Sequence, residues 1–165
     1  MRFTVASLVA SLALGGVGCG SAGDSVGVNG YEYVAGSYSG PVSASDGGAT
    51  FSGTLSIDVE QRDDANNALI GTYTLSGTVT GGPSPGSFLR GQIVWANPVA
   101  GANPSFSLAL INLGCPLQSD VGAKYVSGNR HFLIRGGELR IYPEGPGCSA
   151  LLYDFVNLTG ELSPI

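Results

Sequence analysis

The chain has 165 residues, with 12 Asp plus Glu against 7 Lys plus Arg and a formal charge of −5. An acidic chain of this kind is not a nucleic-acid binder, because neutralising phosphates needs the opposite sign of charge. Only 12% of residues are charged while Gly contributes 27, about twice the usual share of ~7%, and short apolar runs without helical periodicity point to an all-β fold.

Met1-Arg2 precedes an uncharged run of 16 residues, FTVASLVASLALGGVG, closed by Cys19. The run falls short of the roughly 20 residues a spanning helix needs, but it suits the apolar centre of a signal peptide, with Arg2 as its positive flank. Two cleavage readings compete. Gly16-Val17-Gly18-Cys19 resembles the bacterial lipobox, in which the Cys becomes lipid-modified and N-terminal. Ordinary cleavage after Gly20-Ser21-Ala22 would instead discard Cys19 and release a soluble periplasmic or secreted protein. The first reading gives a signal peptide over 1–18, a flexible Gly-rich tether over 19–30 and a single domain over 31–165. It also predicts a lipoprotein of the bacterial cell envelope, attached to the membrane through Cys19 and facing the periplasm or the cell exterior. From Cys19 onward 147 residues remain, enough for one domain with a real core.

A first strand is expected around Tyr33 to Val42, with Asp46-Gly47-Gly48 turning into a long hairpin. In the first arm Phe51, Gly53, Leu55, Ile57 and Val59 alternate with Ser52, Thr54, Ser56, Asp58 and Glu60. The second arm sets Tyr73, Leu75 and Val79 against Thr72, Thr74, Ser76, Thr78 and Thr80. Strict period-two alternation is what a strand with one dry and one wet face requires. The Pro-containing turn GGPSPG leads to a strand over Ser87 to Ala96, with Leu89, Ile93 and Trp95 on one face. Ser105 to Asn112 alternates Phe106, Leu108 and Leu110 with small residues. Leu113 to Gly128 reads as irregular, a long loop or one helical turn. Arg130–Arg135 and Glu138–Tyr142 read as a hairpin turned by Gly136-Gly137, and Phe155–Leu162 as the closing strand, with Val156, Leu158 and Leu162 dry.

About eight strands joined by short polar turns predict an antiparallel up-and-down β-barrel, with a β-sandwich as the alternative. Glycines 53, 71, 77, 91 and 160 keep phase with the apolar residues of their strands, as expected where a barrel bends most sharply.

With Cys19 lipidated or removed, Cys115 and Cys148 form an even pair in an oxidising compartment, for which one disulfide is the simplest outcome. His131 stands alone, without a nucleophile at a recognisable spacing or enough ligands for a metal, so neither an enzyme nor a cofactor is expected. The tip residues Asp63, Asp64, Asn66 and Asn67 lack the spacing of a calcium loop. Lys124, Arg130, Arg135 and Arg140 locally invert the sign of charge and could meet an anionic partner or a lipid headgroup, or pair with acidic strands.

The Gly36-Ser37-Tyr38 start, the alternating hairpin, the glycine-punctuated strands and the C-terminal strand resemble the calycin-like group of small bacterial lipoprotein barrels, the wider group of lipocalins and avidins. The resemblance implies a barrel mouth able to take a small apolar ligand, with Tyr73, Leu75 and Trp95 as candidate pocket residues. A structural or protein-interaction module with a solid core is the alternative, its partner then an envelope protein.

The disulfide is directly testable. It would close a loop of 34 residues, worth roughly 3 to 4 kcal/mol in the chain-entropy picture. Cys115→Ala should therefore lower the melting temperature clearly. Titration of two free thiols in the folded, exported protein would show that no such bond forms.

Overall fold

The computed structural model describes residues 34–63, 68–99, 105–112, 118–142 and 151–165. Cys19, Cys115 and Cys148, with the expected signal peptide, lipid, tether and disulfide, lie outside the described residues. Ten strands are present: β1 (Gly36–Asp46), β2 (Ala49–Asp63), β3 (Ala68–Gly81), β4 (Gly86–Val99), β5 (Ser105–Ile111), β6 (Gln118–Val126), β7 (His131–Gly137), β8 (Leu139–Ile141), β9 (Tyr153–Phe155) and β10 (Thr159–Pro164). Eight of them close a barrel in the order β1-β10-β7-β6-β5-β4-β3-β2, every neighbour antiparallel. The fold is thus the expected up-and-down barrel and not a sandwich.

The alternation in the β2–β3 hairpin becomes the inside and outside of the wall. Phe51, Leu55, Ile57 and Val59 on β2, and Leu69, Tyr73, Leu75 and Val79 on β3, are buried. Ser52, Thr54, Thr72, Thr74 and Thr78 are exposed. Burying each large apolar side chain contributes about 1.5–3 kcal/mol, and a one-residue slip would turn the whole set to water. Gly53 lies directly opposite Gly77, and the Phe51 ring fills the space over both. A Cβ on Gly53 would come within 2.7 Å of the Phe51 ring and one on Gly77 within 2.6 Å. The two glycines let the strands bend while an aromatic ring covers the gap.

One end of the core is aromatic. The Phe132 ring lies 4.9 Å from Tyr38, 5.1 Å from Tyr125 and 5.7 Å from Phe106, each edge to face, the arrangement that ring quadrupoles favour. The other end is filled by β8 and β9, which pair with each other outside the barrel order. Leu139, Ile141, Tyr153 and Phe155 carry the apolar face of this small hairpin into the core. Tyr153 stacks on Phe155 at 5.3 Å, and its hydroxyl accepts a 2.8 Å bond from the Ser84 amide in the β3–β4 turn.

Three expectations are corrected. The stretch around residues 118–126, read as irregular, is β6. Val121, Ala123 and Tyr125 face inward between Asp120, Gly122 and Lys124, a weak alternation that only pairing with β5 and β7 makes stable. Gly136-Gly137 is not a hairpin turn. With φ of 89° and 106°, conformations open chiefly to Gly, these residues steer the chain off the wall, and β8 pairs with β9 rather than β7. The closing segment is split, since Phe155 ends β9, Val156 is exposed, and only Leu158 and Leu162 are dry. The first strand, expected around Tyr33 to Val42, is β1 and runs on to Asp46, while Tyr33 lies outside the described residues.

Replacing Gly77 with Ala should cost about 1–3 kcal/mol, because its Cβ meets both the Phe51 ring and strand backbone. Gly86→Ala, with nothing within 4 Å of the added atom, should be neutral or stabilise by up to about 1 kcal/mol. Urea unfolding of the two variants measures the difference. Equal effects would mean that the glycine pair does not govern the bend.

Candidate functional site

Antiparallel partners share a face, so the register fixes which side chains enter the barrel. Leu75 is opposite Arg90, Tyr73 opposite Gln92 and Gly71 opposite Val94. On the far side of β4, Val94 is opposite Leu110, which is itself opposite Ser119 on β6. Of these, Tyr73, Leu75, Arg90, Leu110 and Ser119, closed over by Leu139 and Ile141 of β8, line the most enclosed of the described cavities together with Phe88, Asn112 and Arg140. Its volume is ≈ 10 Å³, room for about one water molecule and far below the roughly 300–1,000 Å³ that drug-sized ligands occupy.

The polar groups around it serve one another. Tyr73 donates its hydroxyl proton to Asn112 Oδ1 at 2.7 Å. Arg90 donates from Nη2 to the Tyr142 carbonyl and from Nη1 to the Leu89 carbonyl, both at 2.7 Å, and its guanidinium lies 5.6 Å from the centre of the Phe88 ring. The Arg140 amide donates to Ser119 Oγ at 2.9 Å, while the Arg140 side chain pairs with Glu138 and reaches Asp154 at 3.6 Å. Burial pushes the Tyr73 phenol up to about 12, against a partial downward pull from Arg90. It therefore stays a neutral hydrogen-bond donor at neutral pH. Satisfied in this way, the cluster pins β3, β4 and the β8–β9 hairpin together.

Tyr73 and Leu75, read as pocket residues, do line this cavity. Trp95 does not join them. It shares a face with Leu89 and Ile93, as expected, but that face is the outer wall: Leu89 is 64% exposed, and Trp95 is partly exposed between Ile70 and Ala109. Arg90, Asn112 and Ser119 were not singled out from the sequence. Arg90 falls in phase with Phe88, Val94 and Ala96, and Asn112 with Leu108 and Leu110, so a polar residue in apolar phase was the available signal. Ser119 lies in the stretch read as irregular.

His131 is only 8% exposed, with Nε2 3.8 Å from Glu161 Oε1. Asp58 accepts a 2.9 Å bond from Ser37 Oγ. The four basic residues do not converge: Arg140 binds within the β8–β9 sheet, Arg130 sits beside Tyr38 and Tyr125, and Lys124 and Arg135 are exposed on β6 and β7. The hairpin tip at 64–67 lies outside the described residues. Among the described residues no group of three or more His, Cys, Asp or Glu is placed to hold a metal ion. No protein-family model, curated protein or solved structure matches the chain.

Burial also raises Tyr38 to about 12, with the neighbouring Tyr125 adding to the shift and Arg130 opposing it. A phenol whose folded value exceeds its unfolded one favours the folded state fully below about pH 10, and that contribution fades as pH climbs towards 12. Phenolate absorbance of the native protein should therefore show Tyr38 and Tyr73 silent near pH 10 and ionising only on unfolding. Tyr73→Phe should flatten the alkaline loss of stability and, by leaving Asn112 unbonded, cost about 1–3 kcal/mol at neutral pH. Full titration of every tyrosine near pH 10 in the folded protein would contradict the burial described.

Proposed function

We propose that this chain is an exported, lipid-anchored lipoprotein of the bacterial cell envelope, with a calycin-like barrel that works as an interaction module rather than as a carrier of an internal ligand or an enzyme. The observation that carries this reading is the filled interior. The side chains of eight strands and the apolar face of β8–β9 leave an enclosed cavity of ≈ 10 Å³, so among the described residues an apolar ligand would have to displace Leu139 and Ile141. The roomier depressions lie outside. One open groove of ≈ 630 Å³ runs over β1, β10 and β7, lined by Ser43, Ser52, Arg135, Thr159 and Glu161 among others. Hydroxyls and opposite charges of that kind suit a polar protein surface. Attachment rests on Cys19 closing the apolar run of the leader.

Two measurements test it. Wild-type protein should fractionate with membranes and the Cys19→Ser chain with the soluble fraction. A wild type that is soluble and begins at Gly23 would overturn the anchor. A fluorescent fatty acid added to the folded Cys19→Ser chain should show no saturable rise in emission. Saturable one-to-one binding would replace the interaction module with a ligand carrier.

A further inference from the structure

The outer wall of β3, β4 and β5 differs from the rest of this acidic chain. Register places Ile70, Thr72, Thr74, Ser76, Thr78 and Thr80 outward on β3. On β4, Ser87, Leu89, Gly91, Ile93 and Trp95 face outward; on β5, Ser105, Ser107, Ala109 and Ile111 do. None of these described side chains is charged. The charges resume only on the flanking strands, with Asp58 on β2 and Asp120 and Lys124 on β6.

Within the wall the apolar side chains gather. Ile70, Trp95 and Ala109 form one cross-strand row, and Ile93 and Ile111 face each other in the next, with cross-strand Cβ atoms about 5 Å apart. Leu89 extends the patch along β4 and is 64% exposed. Ala109 is buried and Ile70, Ile93, Trp95 and Ile111 are half-buried, so with Leu89 they make an apolar band whose own strands carry no outward-facing charge, the kind of face that marks an interaction site. Trp, apolar in body and polar at its N–H, is the side chain favoured where a membrane meets water.

The occupant follows from where the chain enters the domain. Gly36, at the start of β1, pairs with Val59, which pairs with Gly71, which pairs with Val94, the residue before Trp95. The N-terminal entry and Trp95 are thus three strands apart, about 14 Å along the sheet. Sixteen residues separate Cys19 from Gly36, so a lipid on Cys19 holds the start of β1 within at most roughly 60 Å of the bilayer. At that effective concentration even a weak surface contact is occupied.

We propose that the β3–β4–β5 wall is a bilayer-docking face, with Trp95 at its centre and the phospholipid interface as its partner. Trp95 enters the headgroup region and Ile70, Ile93 and Ile111 bury against acyl chains, while the acidic side chains stay at the margins of the face, Asp58 on β2 and Asp120 on β6. In the cell this second contact rests on the proposed Cys19 anchor; the contact surface itself does not.

Trp95 is the only tryptophan in the chain, so its emission reports on the patch alone. The test uses the mature Cys19→Ser chain carrying an N-terminal hexahistidine tag, tethered to vesicles of phosphatidylethanolamine, phosphatidylglycerol and a nickel-chelating lipid. Tethering is then independent of natural lipidation. On docking, Trp95 emission should shift to the blue, lose intensity when the acyl chains are brominated, and become shielded from aqueous acrylamide. The double variant Ile93→Thr with Ile111→Thr, a β-branched polar pair outside the core, should keep a cooperative melting curve close to the wild type and lose all three effects. Water-like, unquenched emission from the tethered wild type would overturn the proposal. So would a blue shift that grows with protein concentration without lipid, since that would assign the face to a second copy. Failure of the anchor would appear separately, as soluble wild-type protein on cell fractionation.

Discussion

An eight-stranded sheet closed on itself encloses a volume that side chains must fill, and this requirement shapes the rest of the molecule. Closure joins β1 to β10, from opposite ends of the described chain, and removes the open edges that a flat sheet of this size would expose. At one end Tyr38, Phe106, Tyr125 and Phe132 have enough bulk to fill the interior. At the other, the inward positions of β2 and β3 include Gly53 and Gly77, which the bend of the strands needs but which fill nothing. The missing volume comes from Phe51 lying over the glycine pair and from β8–β9, whose Leu139, Ile141, Tyr153 and Phe155 arrive from outside the barrel order. Interiors are close-packed; a meander alone would have left a hole here, and the inserted hairpin occupies it.

That hairpin explains the polar cluster beside the cavity. A segment that leaves the wall brings backbone groups with no ladder partner, and buried groups of that kind must find partners. Arg90 takes the Tyr142 carbonyl, Ser119 takes the Arg140 amide, and the Glu138 amide donates to the Asp120 carbonyl at 2.7 Å. The arginine inside the barrel is therefore read most simply as an anchor for the inserted hairpin. Two buried atoms stay outside this accounting: among the described residues neither the Tyr142 hydroxyl nor Asp154 Oδ1 has a hydrogen-bond partner, although the latter lies 3.6 Å from Arg140 Nε.

What the sequence made legible follows from how local each signal was. The β2–β3 hairpin alternates strictly over many residues, so its faces were readable without any partner. β6 was not, because Val121, Ala123 and Tyr125 stand among Asp, Gly and Lys, and their burial is decided by the neighbouring strands. Gly136-Gly137 looked like a turn because two glycines favour one, yet their positive φ values serve an exit from the sheet, which no local pattern encodes. Of the pocket candidates, Tyr73 and Leu75 lie on the strictly alternating strand, so their inward direction is readable from it. Trp95 was expected inside on hydrophobicity, and hydrophobicity alone does not say which side of a strand is the interior.

β4 shows why that ambiguity has a physical source. Its inward residues Phe88, Val94 and Ala96 are apolar, and so are its outward residues Leu89, Ile93 and Trp95. On β2 and β3 the outward positions are nearly all Ser, Thr or charged, so phase and polarity agree and the dry side is unique. On β4 they disagree, and only the position of Leu75 opposite Arg90 and of Gly71 opposite Val94 decides which set is inside. A strand apolar on both faces is characteristic of sheets covered on both faces. The barrel covers one face of β4. The other holds the only tryptophan of the chain on a wall without charge, while neighbouring strands of the same barrel keep theirs hydroxylated. Folding does not require that apolar area outside, since the core is complete without it, and leaving it in water costs solubility. The proposed bilayer contact would cover that area.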